Sequence, residues 1–180
     1  MARDGQRDLA EFIREAKRSE VGEDGKATVL EVVDDTRRIA CSGGCLVPVV
    51  VRIDPSLGQA RIPRVLVHAL VGILDNAIAA SDANDAISVS VIRSERGATV
   101  AVEDRGKGIE ASLLSRVETL GFSTRVEEGG QGVGLTVASE ILKSVGASLN
   151  IHSVLGGGTT VTVGLPSKIL VLPGAYEASN

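Results

Sequence analysis

The stretch IPRVLVHALVGILDNAIAAS, residues 62–81, is the longest helical pattern in the sequence. Pro63 suits the first turn of a helix, because the N–H that proline lacks would have no partner there. Asp75 and Asn76 interrupt an otherwise apolar surface where the helix is expected to face the core. A buried asparagine needs a partner for its amide. Two interpretations stay open: protein or water satisfies Asn76, or its carbonyl oxygen binds a magnesium ion, which favours oxygen ligands.

Two predicted hairpins follow this helix along the chain. Apolar and polar residues alternate in AISVSVIRS and ATVAVE, and again in SLNIHSV and TTVTVGL, at 86–94, 98–103, 148–154 and 159–165. An edge strand is predicted over 46–53, with Pro48 near its start, and further helices are predicted over 9–20, 27–39, 110–118 and 133–145. This order of elements predicts an α+β fold, a two-layer α/β sandwich, rather than a doubly wound parallel sheet.

The segment VEDRGKGI places a carboxylate and two glycines at the end of a predicted strand. Asp104 could accept a hydrogen bond from the exocyclic amine of a ligand. Gly106 and Gly108 would let the backbone approach a flat ligand closely. A plain turn explains the same residues about as well.

The segment GGQGVGL, residues 129–135, runs directly into a predicted helix. Gly130, Gly132 and Gly134 alternate in front of the helix N-terminus, which suits phosphate groups because its N–H groups are free. The segment is not a Walker loop, since the Gly-Lys-Ser/Thr ending is missing. It does not fit a dinucleotide-binding fold either, because no strand leads into the glycines. A mobile loop with a helix cap is the simpler alternative.

Two further loops carry weaker signals. In GFSTR, residues 121–125, an aromatic residue, hydroxyls and a cation could form one side of a lid over phosphates; the members are Phe122, Thr124 and Arg125. An ordinary polar loop is an equal alternative. In GGGTT, residues 156–160, a threonine hydroxyl could reach the edge of a base directly or through water, although a hairpin turn is the simpler interpretation.

Composition narrows the class of protein. The 180 residues suffice for one domain, and 43% of them are hydrophobic against 23% charged, which is a globular balance. A net charge of −4 argues against a nucleic-acid surface. The sequence contains no run of 18 apolar residues and does not begin like a signal peptide, so we expect a soluble, cytoplasmic chain without membrane contact. Cys41 and Cys45 are too few for a zinc site, which leaves two small thiols or a redox-sensitive pair.

The order and spacing of these motifs resemble the catalytic, ATP-binding domain of bacterial sensor histidine kinases, within the wider GHKL superfamily. ILDNAIAAS resembles the N box, DRGKGI the G1 box, GFSTR the F box and GQGVGL the G2 box. The resemblance covers residues 26–166 and implies a Bergerat fold, a mixed, mostly antiparallel sheet with three helices on one face. Residues 1–25 would then be the end of a dimerisation helix and a linker, and residues 167–180 a C-terminal tail.

The resemblance also implies roles for single residues. Asn76 would bind Mg²⁺ and Asp104 the adenine amine of ATP, with Gly106 and Gly108 near the base and Thr159 supporting the contact. Residues 121–131 would form the lid with Phe122, Thr124 and Arg125, and the phosphates would lie along Gly130, Gly132, Gly134 and Leu135. The expected activity is that of a protein-histidine kinase, in which positioning and charge neutralisation matter more than covalent catalysis.

The sequence departs from the family pattern at three places. Gly72 stands where kinases usually have a second asparagine and gyrase-like relatives a glutamate base, and Ala79 where many kinases have a lysine. The lid, with VEEGG, is short and acidic. Neither His68 nor His152 resembles the phosphoacceptor, so the expected partners are a histidine-containing dimerisation domain outside this chain, a response regulator and a second copy of the parent protein. The alternatives are a degenerate nucleotide-sensing domain and, less favoured, a gyrase-like ATPase.

Overall fold

The structure is a computed structural model that describes residues 25–113 and 134–173. The predicted helix over 9–20 and the predicted lid lie outside these residues, as does most of the predicted helix over 110–118, of which residues 111–113 are helical. The elements are β1 (Lys26–Thr28), α1 (Val29–Ala40), β2 (Val49–Ile53), β3 (Arg61–Pro63), α2 (Leu66–Ala80), β4 (Ile87–Ser94), β5 (Gly97–Asp104), α3 (Gly134–Val145), β6 (Ser148–Val154) and β7 (Gly158–Pro166). A single 3₁₀ turn follows at Ser167–Ile169.

Five of the strands form one mixed sheet in the order β2-β4-β5-β7-β6. The β2–β4 pair is parallel, and the other three pairs are antiparallel. Strand β2 lies at the edge of the sheet, as Pro48 predicts, since proline cannot donate a ladder hydrogen bond. The short strands β1 and β3 form a separate antiparallel pair. The predicted mixed, mostly antiparallel sheet is therefore confirmed.

The core lies between one face of the large sheet and the helices. Alternate residues of the central strands are buried, among them Val89 and Val91 of β4 and Val100 and Val102 of β5. They pack with the buried faces of the helices, which include Leu70, Ile73 and Leu74 of α2 and Ile141 and Leu142 of α3. Each fully buried side chain of this size stabilises the fold by about 1.5–3 kcal/mol. Branched aliphatic residues thus fill a two-layer core with almost no aromatic side chains.

Two short elements differ from the prediction. Residues 62 and 63, predicted as the start of the long helix, belong to β3, and α2 begins at Leu66. Residue 27, predicted as helical, belongs to β1, because Thr28 is the N-cap of α1 and forms a capping box with Glu31. Each of these strands has three residues, which is too short for a period of two to be visible in the sequence.

The chain beyond β7 remains in contact with the domain. Ser167 donates its backbone N–H to the Arg96 carbonyl at 2.8 Å, and Val171 forms a β-bridge with Arg61 of β3. The side chains of Ile169, Leu170 and Leu172 pack against the core. The first residues of the predicted tail therefore add a third segment to the β1–β3 pair. Among the described helices, none is both long and apolar enough to span a bilayer.

Candidate functional site

Asp104 is the central polar residue of the site. It is the last residue of β5, and its side chain points to the helix-covered face, where Asp104 is only 6% exposed. Its Oδ1 accepts a hydrogen bond from the Gly106 N–H at 2.9 Å and another from the Thr159 N–H at 3.2 Å. In the part of the chain that the structure describes, Oδ2 accepts no hydrogen bond. The carboxylate is thus fixed through one oxygen, and the other can receive a ligand donor.

Burial raises the pKa of Asp104, because the charged form loses hydration. The two backbone N–H donors oppose this shift, since they favour the carboxylate, and the nearby charges of Asp85 and Glu103 add to it. A buried acid with a raised pKa and a free oxygen is the kind of group that marks a functional site.

Gly106 and Gly108 allow the loop after β5 to approach other backbone segments. A Cβ on Gly106 would lie 2.0 Å from the carbonyl oxygen of Ala80, at the end of α2, and the Lys107 N–H bonds to the same oxygen at 3.3 Å. A Cβ on Gly108, whose φ is +65°, would lie 2.0 Å from the Val154 carbonyl oxygen. The close approach that the structure shows at these glycines is to protein backbone, and it joins the loop to α2 and to β6. Their predicted approach to a flat ligand stays a prediction.

Thr159 joins Asp104 through its backbone and Ser153 through its side chain. Its Oγ1 lies 2.9 Å from the Ser153 Oγ, and the Ser153 hydroxyl donates to the Gly158 carbonyl at 3.0 Å. The Ile109 N–H donates to the same hydroxyl at 2.8 Å. Ser153 was not predicted from the sequence, where it is one polar residue of an alternating strand. It ties the loop after β5 to the β6–β7 hairpin.

Asn76 lies on α2 opposite the first residue of α3. Its side chain is half-buried, and its Nδ2 is 3.6 Å from the point where a Cβ on Gly134 would stand. One turn earlier, a Cβ on Gly72 would lie 2.9 Å from the Gly134 carbonyl oxygen. The two helices therefore cross at a pair of glycines, and the N-terminus of α3 lies beside Asn76. Leu135 follows on α3 and packs against the core.

The remaining predicted residues divide into two groups. Ala79 and both histidines are exposed on α2 and β6. The others lie outside the described residues, namely Phe122, Thr124, Arg125, Gly130 and Gly132. Over the ranges 25–113 and 134–173, no group of three His, Cys, Asp or Glu side chains could hold a metal ion by itself. A cation at Asn76 would thus need ligands from a bound phosphate or water, as is usual for magnesium.

Solved structures of histidine kinases share this fold. A mycobacterial sensor histidine kinase, MprB, has a TM-score of 0.67 at 21% identity, over 78% of this chain and 95% of that chain. The catalytic domain of histidine kinase ThkA has a TM-score of 0.66 at 17% identity, over 79% and 94%. Full-length ShkA, solved in complex with AMPPNP, has a TM-score of 0.64 at 18% identity and is covered over 31% of its chain. The fold is that of a histidine kinase catalytic domain.

Sequence comparison gives the family. The model of the histidine kinase-, DNA gyrase B-, and HSP90-like ATPases matches residues 62–169, more than half of the chain. The chain belongs to this family, and it is an ATP-binding domain. Sensor histidine kinase ZraS of Escherichia coli K12 is 36% identical over 107 residues, 59% of this chain and 23% of ZraS. Histidine protein kinase SaeS of Staphylococcus aureus is 33% identical over 113 residues, 59% of this chain and 32% of SaeS. The chain thus matches about a quarter to a third of these relatives.

Proposed function

We propose that this domain binds ATP with Mg²⁺ and transfers the γ-phosphate to a histidine of a dimerisation domain that belongs to the same parent protein. The observation that carries the proposal is Asp104, a buried carboxylate held by two backbone N–H groups through Oδ1. Its Oδ2 is the acceptor for the adenine amine, and an oriented acceptor of this kind distinguishes adenine from guanine, which has a carbonyl at the corresponding position.

Thr159 supports the adenine contact. Its backbone N–H orients Asp104, and its hydroxyl, which is hydrogen-bonded with Ser153, lies at the same end of the sheet. Gly106 and Gly108 contribute by holding the loop against α2 and β6, so that the backbone beside the base stays in place. The adenine pocket therefore depends on contacts among three separate parts of the chain.

The triphosphate would lie between Asn76 and the N-terminus of α3. A helix N-terminus favours anions, and Gly134 is the first residue of α3. Asn76 is the proposed protein ligand of the cation, with phosphate oxygens and waters completing the shell. Phe122, Thr124, Arg125, Gly130 and Gly132 are the proposed lid and phosphate residues, and Leu135 follows the phosphate segment on α3.

The chemistry of such a site is direct phosphoryl transfer from ATP to the acceptor histidine, with no covalent intermediate on this domain. An imidazole nitrogen of the acceptor histidine attacks the γ-phosphorus, the bond to the β-phosphate oxygen breaks, and ADP leaves. Magnesium, when bound, neutralises the phosphate charge. The chain's own residues orient the nucleotide and exclude water, and position 72 holds a glycine that cannot activate a water molecule.

The proposed partners follow from the same activity. Residues 1–25 would be the end of the dimerisation helix and its linker, and the parent protein would act as a homodimer that passes phosphate to a response regulator. The location would be cytoplasmic, where ATP is available.

Calorimetry with a non-hydrolysable ATP analogue tests the nucleotide site. The substitution Asp104→Asn replaces the acceptor oxygen by an amide and should weaken binding at least tenfold, about 1.4 kcal/mol. Glu103→Gln is the matched control, because this neighbouring acid is exposed and points to the opposite face of β5. Omitting Mg²⁺ should weaken binding to wild type but have little further effect on Asn76→Ala. Equal affinities for wild type and Asp104→Asn would refute the adenine role.

A degenerate nucleotide-sensing domain is the second candidate function, and Gly72 favours it. No side chain fits at this position while α3 stays in place, since a Cβ would be 2.9 Å from the Gly134 carbonyl oxygen. The second asparagine that kinases usually have at this position is thus excluded by the helix crossing.

Phosphorylation of the acceptor separates these candidates. The chain is incubated with γ-labelled ATP and the dimerisation hairpin of its parent protein, and acid-labile label on the hairpin is measured. Label that depends on both ATP and Asn76 supports the kinase. ATP binding without label would support the sensing domain, and steady-state ADP release by the isolated chain would instead favour a gyrase-like ATPase.

A further inference from the structure

The turn CSGGC, residues 41–45, brings two cysteines together between α1 and β2. Cys41 is the C-cap of α1, where its N–H bonds to the Arg37 carbonyl at 3.0 Å. The Gly44 N–H then bonds back to the Cys41 carbonyl at 3.2 Å, with φ of +87° at Gly44. This closed turn reverses the chain, so Cys45 returns toward the end of the helix.

The two thiols are free and half-buried, and they line the same surface cleft. The Cys45 thiol donates to the Val47 carbonyl, with 3.1 Å between sulfur and oxygen. Burial raises the pKa of Cys41, and a hydrogen bond with the Cys45 thiol raises it further, while Arg37 opposes the shift.

The pair is accessible and its turn is not confined by packing. A surface cleft of about 460 Å³ is lined by both cysteines together with Arg37, Arg38 and Val49. A Cβ on Gly43 or Gly44 would meet no atom within 4 Å. The turn therefore has room for a change that brings the two sulfurs to bonding distance, which is about 2.05 Å.

We propose that Cys41 and Cys45 form a reversible intramolecular disulfide and make this turn a redox modification site for low-molecular-weight disulfides. In the first step one thiolate attacks a sulfur of the oxidant, a mixed disulfide forms and one oxidant thiolate leaves. In the second step the other cysteine thiolate attacks the mixed disulfide and the second oxidant thiolate leaves. The two cysteine protons go to the two leaving thiolates, so two thiols are oxidised and one disulfide is reduced.

A zinc site explains the two cysteines less well than a reversible disulfide does. Structural zinc takes four ligands, and no third His, Cys, Asp or Glu joins these cysteines to form a metal site in the portion that the structure describes. Disulfides in cytoplasmic proteins are mostly transient and redox-sensing, which is the behaviour expected of an accessible thiol pair.

Equilibration of the full chain with glutathione and glutathione disulfide at graded ratios tests the proposal. Since the chain contains two cysteines, the free thiol content should fall from two to zero, and the intact mass should decrease by two hydrogen atoms. Peptide mapping should place the bond between residues 41 and 45, and dithiothreitol should reverse it. The reaction should be faster at higher pH, because the attacking species is the thiolate.

Single-cysteine variants supply the control. Cys41→Ser and Cys45→Ser should each stop at a mixed disulfide with glutathione, seen as a gain in mass. Gly43→Ala should still close the bond, since its Cβ meets nothing. Circular dichroism should show that all three variants are folded. A wild-type chain that stays reduced, retains two glutathione groups or forms only intermolecular dimers would overturn the proposal.

Discussion

Asp104 links the stability of the domain to the chemistry of its site. Because its pKa is raised in the folded state, its contribution to stability is fully present below the pKa of the unfolded chain and is lost as the pH rises through the folded pKa. At neutral pH the buried charge therefore costs stability. Under the proposed function this cost has a purpose, because an ionised acceptor would bind the adenine amine more strongly than an amide would.

The substitution Asp104→Asn should consequently raise the free energy of unfolding at neutral pH while it weakens nucleotide binding. Its amide oxygen can still accept from the Gly106 and Thr159 N–H groups, so the loop should remain in place. Urea unfolding of wild type and variant, from mildly acidic to neutral pH, measures the difference, which should grow with pH. Glu95→Gln, at an exposed acid in the turn between β4 and β5, is the control. An Asp104→Asn variant less stable than wild type at neutral pH would contradict the argument.

Gly72 is a second single residue with a large structural effect, because the absence of a side chain there lets α3 pack closely against α2. Gly72→Ala would place a methyl group 2.9 Å from the Gly134 carbonyl oxygen, and backbone lies on both sides of the contact. We expect a loss of about 1–3 kcal/mol in the free energy of unfolding, as for other overpacked sites. We also expect the substitution to weaken the binding of ATP more than the binding of ADP. Urea unfolding and calorimetry measure the two effects. Gly43→Ala, where a Cβ meets nothing, should change stability by less than about 0.5 kcal/mol.

At the scale of elements, α1 begins with a complete capping box. The Thr28 hydroxyl accepts from the Glu31 N–H at 3.1 Å, and the Glu31 carboxylate accepts from the Thr28 N–H at 2.8 Å. Thr28→Ala should cost about 1 kcal/mol of unfolding free energy, measured with urea. Hydrogen bonds from the Thr28 N–H and hydroxyl to the Glu31 carboxylate lower the pKa of Glu31 below its ordinary value of 4.5, so the stability they contribute is present above that pH and is lost as the pH falls through the folded pKa. Thr28→Ala keeps the backbone N–H and loses the hydroxyl, so the difference between the two proteins should narrow in acid but persist, because the bond from the Glu31 N–H to the hydroxyl does not titrate. A difference that is constant with pH would contradict the bond from the hydroxyl to the carboxylate.

The elements that could be predicted are those with a visible period. The helix pattern of α2 and the alternation in β4 to β7 predicted the correct types, and the hairpin ends matched within a residue or two. Strands β1 and β3 could not be predicted, because three residues show no period and their pairing joins segments far apart in the sequence. For the same reason Pro63 was misread as the first turn of a helix, although it pairs with Lys26.

At the scale of the molecule, the candidate site arises from contacts between distant segments. Motif order singled out Asp104, Asn76 and Thr159, and the family to which the chain belongs agrees with an ATP-binding domain. The roles of the three residues stay predictions. The sequence could not show that Gly106 packs on the end of α2 or that Ser153 joins two loops, since both contacts depend on the tertiary fold. Gly106 and Gly108, which suggested room for a ligand, also allow the loop after β5 to pack against α2 and β6.

The C-terminal segment tests how far the cooperative unit extends. Val171 exchanges two backbone hydrogen bonds with Arg61, of 2.8 and 2.9 Å, and three apolar side chains between 169 and 172 pack against the core. Ending the chain after Pro166 would expose those core contacts and leave β3 paired only with β1, so we expect a loss of roughly 2 kcal/mol in unfolding free energy. Ending it after Pro173 keeps every one of these contacts and should leave stability unchanged. Urea unfolding of both truncations against the full chain gives the comparison. If the two truncations were equally stable, residues 167–173 would be an appendage, and the domain would end with β7.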